Sequence, residues 1–359
     1  MTNMADEIAT LFRANFERYS REHYRFEDRF GFIESPLGYS TNAWQDYAEL
    51  GWLSLRLPES YGGVDADAHT LIALMESVGS RLLMEPILSS VILASGLLVR
   101  LASPAQLDEW LPKIAAGKML LACTEVGLNR SNVTLQGSKI TGSVDIVLHG
   151  DSANKIIVFA QDEEAGGIIS PVLLEPNTDS VHRHAYRLVD GRGAASFNFN
   201  NTSVERLQSD INQAALTAFS WEANVSLCAE AVGCMQALLT DTTEYLNIRK
   251  QFGRPIGSNQ ALQHRLVDAY LLLEQSRALL QRAVEVLAQP EPEHDYLIHG
   301  ARSFISVASR KVANEAVQMH GGIGITEELA ISHYFRRLMV NRQLFGNPDH
   351  HFESFRRLI

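Results

Sequence analysis

The hydrophobic period of this chain changes twice, and that change restricts its fold more than any other feature. From residue 5 to about 117, apolar residues recur at helical spacing, as Ile8, Leu11, Phe12 and Phe16 do. From about 118 to 205 the pattern turns strand-like. KIIVFA (155–160) and GGIISPVLLE (166–175) are β-rich runs, and SFNFN (196–200) alternates Phe197 and Phe199 with polar neighbours. From about 210 the helical period returns. Leu262, Leu266, Tyr270, Leu273, Leu280, Val284 and Leu287 predict one face of a helix that Pro290 and Pro292 end. Ala301, Phe304, Ala308, Val312, Ala316 and Met319 predict the next helix, which stops at Gly321–Gly322.

Helices, then strands, then helices, with no βαβ alternation, give an α+β layout. The expected divisions are an all-helical domain over 1–117, a β-barrel or sandwich domain over 118–207, and a four-helix bundle over 208–359.

The formal net charge is −11 and no long run of Lys or Arg occurs. That argues against nucleic acid or an anionic membrane as the main partner. The longest apolar stretch, Pro86 to Val99, has 14 residues, too few to span a bilayer, and predicts a buried helix. The N-terminal residues lack the features of a secretory signal. Cys123, Cys228 and Cys234 form no even framework and no CxxC pair, so they read as buried thiols of a cytoplasmic protein. His182 and His184 alternate on a strand without a nearby carboxylate or cysteine, and no metal site is assigned. Only Glu291 to His294 has the Glu-x-x-His spacing of a di-iron bundle, and Pro292 breaks it. His350 and His351 are read as interface or solvent residues in a C-terminal loop.

Two stretches of the rear region carry more specific information. RKQFGRPIGSNQALQHRLVD (249–268) sets an arginine, an aromatic and a Gly–Arg–Pro turn before a helix. AVQMHGGIGITEELAISHYFRRL (316–338) ends one helix on a glycine pair and opens another. With LPESYGG (57–63) and WLPKIAAGKMLLACTE (110–125), in the same order, the chain resembles the acyl-CoA dehydrogenase family over nearly its whole length. A dinucleotide's pyrophosphate calls for a guanidinium and open backbone N–H groups, which Arg249 and Gly321–Gly322 can offer. The resemblance implies FAD as cofactor, with contacts from Arg249, Gln251, Phe252, Gln260, Gln318 and Gly322, and from Thr124 on the β domain. It further implies an acyl-CoA substrate, an oligomer with the flavin at a subunit interface, and an electron-transfer flavoprotein as acceptor.

The same resemblance exposes departures. The family's catalytic glutamate stands 27 residues after the glutamine of the helix-ending motif, which here is Phe345. The alternative base position, 26 residues before the flavin arginine, is Ala223. Glu222 is adjacent, but one residue on a helix turns about 100°. The substrate-side arginine of the family is Asn224 here, and TEVGLNR (124–130) departs from the usual flavin loop. Ile146–Val147–Leu148 replaces a triplet that ends in a threonine. The leading expectation is the base-lacking subunit of a heteromeric enzyme, a homodimer or a heterotetramer with a homologous large subunit. The rivals are a self-sufficient homomer with Glu222 as base, and a flavin-free scaffold.

Overall fold

The computed structural model describes residues 4–125, 132–207 and 213–359, and all but a few of their side chains. Positions 126–130 of the altered loop and the 207/208 domain boundary therefore fall outside the described residues, wholly or in part. In chain order the helices before the sheet are α1 (Met4–His23), α2 (Asp28–Glu34), α3 (Thr41–Glu49), α4 (Ala68–Ser80), α5 (Ser95–Leu101) and α6 (Pro104–Ala115). The strands are β1 (Leu121–Cys123), β2 (Val133–Gln136), β3 (Lys139–Leu148), β4 (Lys155–Asp162), β5 (Ile168–Leu174), β6 (Val181–Arg187), β7 (Gly193–Ser203) and β8 (Glu205–Arg206). Then come α7 (Gln213–Ile248), a hairpin of β9 (Lys250–Gln251) and β10 (Arg254–Pro255), α8 (Gln260–Ala288), α9 (Asp295–His320), α10 (Ala330–Asn341) and α11 (Pro348–Leu358).

The α–β–α order is the one the changes of period predict. In space the described chain forms two compact units, each drawn from separated segments. One contains residues 27–66 and 84–223, the other residues 1–26, 67–83 and 224–359. Helices α1 and α4 thus share a unit with the rear helices, which a division by sequence order does not convey.

The first unit is built on one mixed sheet in the order β6-β7-β3-β2-β4-β5-β8, with β1 parallel to β4. Phe197 and Phe199 of β7 are buried while Asn198 and Asn200 face solvent, the alternation read from sequence. Burying each ring contributes about 1.5–3 kcal/mol. The apolar stretch after Pro86 is buried as expected, but Ile87–Ala94 winds as a π-helix before continuing as α5. Ser103 and Gln106 form a reciprocal cap that starts α6.

In the second unit, α4 and α7 cross backbone to backbone. A Cβ on Gly79 would lie 2.0 Å from the Glu230 carbonyl oxygen, and one on Gly233 would lie 2.0 Å from that of Glu76. Nearby, Arg337 of α10 pairs with Glu230 at 2.7 Å, both side chains fully buried. Arg337 also donates to the Leu83 carbonyl at 2.9 Å, and Asn341 to that of Leu227 at 3.0 Å. The expected face of α8 holds in part: Leu273, Leu280 and Val284 are buried, but Tyr270 is exposed beside Val267 and Leu271. The helix is apolar on two sides, so steps of three and four alone could not single out the core side.

Candidate functional site

Helix α7 ends in a two-residue hairpin whose loop is Phe252–Gly253, with Gln251 opposite Arg254. Both loop residues have positive φ, 51° and 80°, the pattern of a type I′ turn. Asparagine or glycine suits the first position; a phenylalanine adopts it at a cost. The ring is fully exposed at 102%, so its own chain provides no packing for it. Arg249, Gln251 and Gln260 also present their side chains to solvent. A left-handed backbone that carries an uncovered aromatic makes Phe252 a candidate contact residue.

The end of α9 adjoins this hairpin. His320 stacks on Tyr245 with ring centroids 4.3 Å apart, and Tyr245 Oη donates to the His320 carbonyl at 3.4 Å. Tyr245 lies one turn before Arg249, whose N–H donates to the Tyr245 carbonyl at 2.8 Å. The two motifs, distant in sequence, are thereby brought together. Gln318 is exposed, Gly321 has φ 66°, and nothing stands within 4 Å of a Cβ built on Gly321 or Gly322. A flat, charged ligand can approach that backbone directly. These side chains and this open backbone fit the phosphate and amide groups of a flavin dinucleotide.

Thr124 follows β1 in the other unit and is buried. Its hydroxyl oxygen accepts from Phe159 N–H at 3.2 Å, which leaves the hydroxyl proton to be donated elsewhere. Of the substituted triplet, Val147 and Leu148 are buried and Ile146 is exposed.

Phe345 lies in the turn between α10 and α11, half-buried and with φ 54°. Main-chain carbonyls of this turn are held by buried donors. Arg302, 0% exposed, donates to the carbonyls of Asn341 at 2.5 Å and Leu344 at 3.0 Å, and to Asn224 Oδ1 at 3.2 Å. His351 Nε2 lies 3.0 Å from the Phe345 carbonyl. His351 Nδ1 lies 2.7 Å from His299 Nδ1, and His299 Nε2 lies 3.6 Å from Asp295. The reading of His350 and His351 as interface or solvent residues in a loop is corrected in two points, the loop for both and the exposure for His351. Both lie in α11, and His351 is buried because the turn needs a donor.

Glu222 is enclosed by two arginines. Arg56 contacts one carboxylate oxygen at 3.2 Å and Arg100 the other at 2.7 Å. Burial pulls the Arg56 guanidinium below its usual range; Glu222 opposes that shift and Arg100 adds to it. Gly96 leaves space for the group, since a Cβ there would lie 3.2–3.5 Å from all three side chains. Both carboxylate oxygens of Glu222 are taken up by these guanidinium contacts.

The N-terminal domain of acyl-CoA dehydrogenases matches residues 5–118, and their C-terminal domain matches residues 213–357. The chain is 30% identical to the acyl-CoA dehydrogenase IpdE2 of Mycolicibacterium smegmatis, over 91% of this chain and 89% of that one. It belongs to the acyl-CoA dehydrogenase family. Solved structures that share its fold include these two. The ChsE4–ChsE5 complex of Mycobacterium tuberculosis gives a TM-score of 0.90 at 23% identity, covering 99% of this chain and 97% of that one. PigA with FAD and proline gives 0.87 at 22% identity, over 99% and 97%.

Within this acyl-CoA dehydrogenase chain, several residues escaped sequence reasoning, Arg56 and Arg100 around Glu222 and His299 behind His351 among them. Tyr245 and His320 join the two motifs, and Arg302 supports the turn at Phe345. An arginine among the apolar positions of α9 was the only available signal for Arg302. His182 and His184 sit exposed on edge strand β6, and among the described residues no His/Cys/Asp/Glu group is arranged to hold a metal. Among the described residues no helix is long and apolar enough to cross a membrane.

Proposed function

We propose that this acyl-CoA dehydrogenase is an FAD-binding, base-lacking subunit that performs α,β-dehydrogenation of an acyl-CoA thioester together with a homologous chain. The observation that carries the proposal is the state of the carboxylates. Phe345 and Ala223 occupy the two base positions, and the neighbouring Glu222 is committed to Arg56 and Arg100. Removal of the α-proton requires a free carboxylate within hydrogen-bond reach, so the base comes from the partner.

The flavin-side residues support the other half of the reading. Arg249 offers charge to phosphate, and Phe252 offers an uncovered ring. Gln251, Gln260 and Gln318 offer amide groups, and Gly322 offers approachable backbone. Thr124 has a hydroxyl proton to give. When bound, FAD supplies the hydride acceptor. PigA, of the same fold, was solved with FAD, and ChsE4–ChsE5 is a complex of two differently named chains. The exposed Ile248, Phe252, Val267, Tyr270 and Leu271 suit burial in a subunit interface in the cytoplasm. An electron-transfer flavoprotein would take the electrons onward.

The test is anaerobic mixing of the FAD-loaded chain with a panel of acyl-CoA thioesters, alone and after co-expression with a homologue carrying the turn glutamate. Bleaching only in the co-expressed form is expected. Fast bleaching by the chain alone would overturn the heteromeric reading, and its loss in Glu222→Gln would make Glu222 the base.

A further inference from the structure

The turn at Phe345 raises a question that the missing base does not answer: why a phenylalanine is held at φ 54°. Left-handed backbone is unfavourable for any residue with a Cβ, and persists where the surroundings over-determine it. The surroundings here act through the main chain. Arg302 donates to the carbonyls of Asn341 and Leu344, His351 to that of Phe345 at 3.0 Å, and Ser303 Oγ to that of Pro348 at 3.2 Å. Carbonyls are common to every residue type, so this hold does not depend on the side chain at 345.

The His351 ring is fixed at both nitrogens. A carbonyl only accepts, so Nε2 carries a proton, and in the neutral ring Nδ1 is left as an acceptor. His299 Nδ1, at 2.7 Å, is then the donor. Gly346 completes the fit: a Cβ there would lie 2.9 Å from His351 Nε2 and 2.8 Å from His350 Cδ2.

We infer that Arg302 and His351, backed by His299, are positioning residues that hold residue 345 left-handed whatever side chain it carries. The turn keeps the frame of a presenting turn although a phenyl ring stands in it. The functional meaning of that frame rests on the reading above, in which 345 is a base position.

The experiment compares the melting temperatures of Phe345→Gly and Phe345→Ala in the flavin-loaded full chain. Both variants lose the ring, and only glycine escapes the left-handed penalty. Glycine should melt higher, by a margin on the order of 2 °C. The margin should vanish in a His351→Leu background and return in His351→Gln, whose amide can still donate to the carbonyl. A variant pair in which alanine melts as high as glycine would overturn the inference, as would an equal margin in His351→Leu. If His351→Leu does not fold, His299→Leu, which removes the donor to His351 Nδ1, takes its place and the margin should shrink there; an equal margin would overturn the inference. No acyl-CoA enters the measurement, so failure of the clamp and failure of the dehydrogenase reading are separate results.

Discussion

Tyr245 and His320 stack with 23° between their ring planes, and this stack, with the Tyr245 Oη hydrogen bond to the His320 carbonyl, ties the ends of α7 and α9 together. Arg249, Gln251 and Phe252 follow the end of α7, and Gln318 and Gly322 lie at or just past the end of α9. Tyr245→Ala should therefore lower FAD affinity although Tyr245 itself is not assigned to the flavin. Arg249→Ala should lower it more directly, by about 1.5–3 kcal/mol for a charge-assisted phosphate contact. Fluorescence of flavin released on dilution measures both. Parental retention by Arg249→Ala would remove that residue from the site.

Phe252 separates folding from binding. Phe252→Asn places a residue suited to left-handed backbone in the hairpin, so the chain should gain about 0.5–1 kcal/mol of stability without flavin. The same substitution should weaken flavin retention. A thermal melt of the apoprotein alongside a flavin titration reads the two effects, which should have opposite sign.

The buried histidine gives the stability an acid limb. Burial, with Arg302 and then His299 close by, pushes His351 down to about 3, against an ordinary value of about 6.5. The unfolded chain then binds the extra proton at higher pH than the folded one, and stability falls as pH drops from about 6.5 toward about 3. Asp295 beside His299 favours protonation, while His350 opposes it; Arg357 faces His350, and Arg342 with Arg310 and Asp349 completes the charges around the turn. At pH 5 the loss should be about 1–2 kcal/mol, and His351→Gln should flatten that limb of a urea-midpoint profile.

Glu222→Gln leaves two guanidiniums without their carboxylate. A loss of about 3 kcal/mol in urea unfolding is expected, because removing one member of a buried ion cluster strands the other charges. Flavin reduction in the assembled enzyme should be unchanged.

Phe345→Glu should restore slow flavin bleaching to the isolated chain. General-base catalysis contributes about 10²- to 10⁴-fold, which is the ceiling on the expected gain. Stopped-flow absorbance under anaerobic conditions is the measurement. No gain at all would show that the pocket, and not only the base, has been lost.

The succession of helices, sheet and helices was legible because burial enforces a period, and Phe197 and Phe199 display it directly. The motif residues were legible through the family resemblance, and Phe252, Gly253 and Gly321 do adopt positive φ, backbone that few residue types favour. What could not be read has two physical causes. Long-range pairs such as Tyr245 with His320 leave no local pattern, and α8 has two apolar sides of which only one is core. Arg302, Arg337 and Glu230 resemble surface charges in a sequence, and only the fold reveals that they are enclosed.

The crossing at Gly79 and Gly233 has a consequence for how this helix tolerates change. With main chains in van der Waals contact at both points, the crossing fixes the axial setting of α7 like a pin through two rods. Everything further along α7 in this unit, including Tyr245 and the hairpin after it, is measured from that pin at about 1.5 Å and 100° per residue. A one-residue deletion between 233 and 245 would therefore swing the hairpin by more than a quarter turn without disturbing a single core contact at the crossing. In a saturation library positions 79 and 233 should be nearly blank, and short insertions just beyond 233 should yield folded protein that has lost its yellow colour.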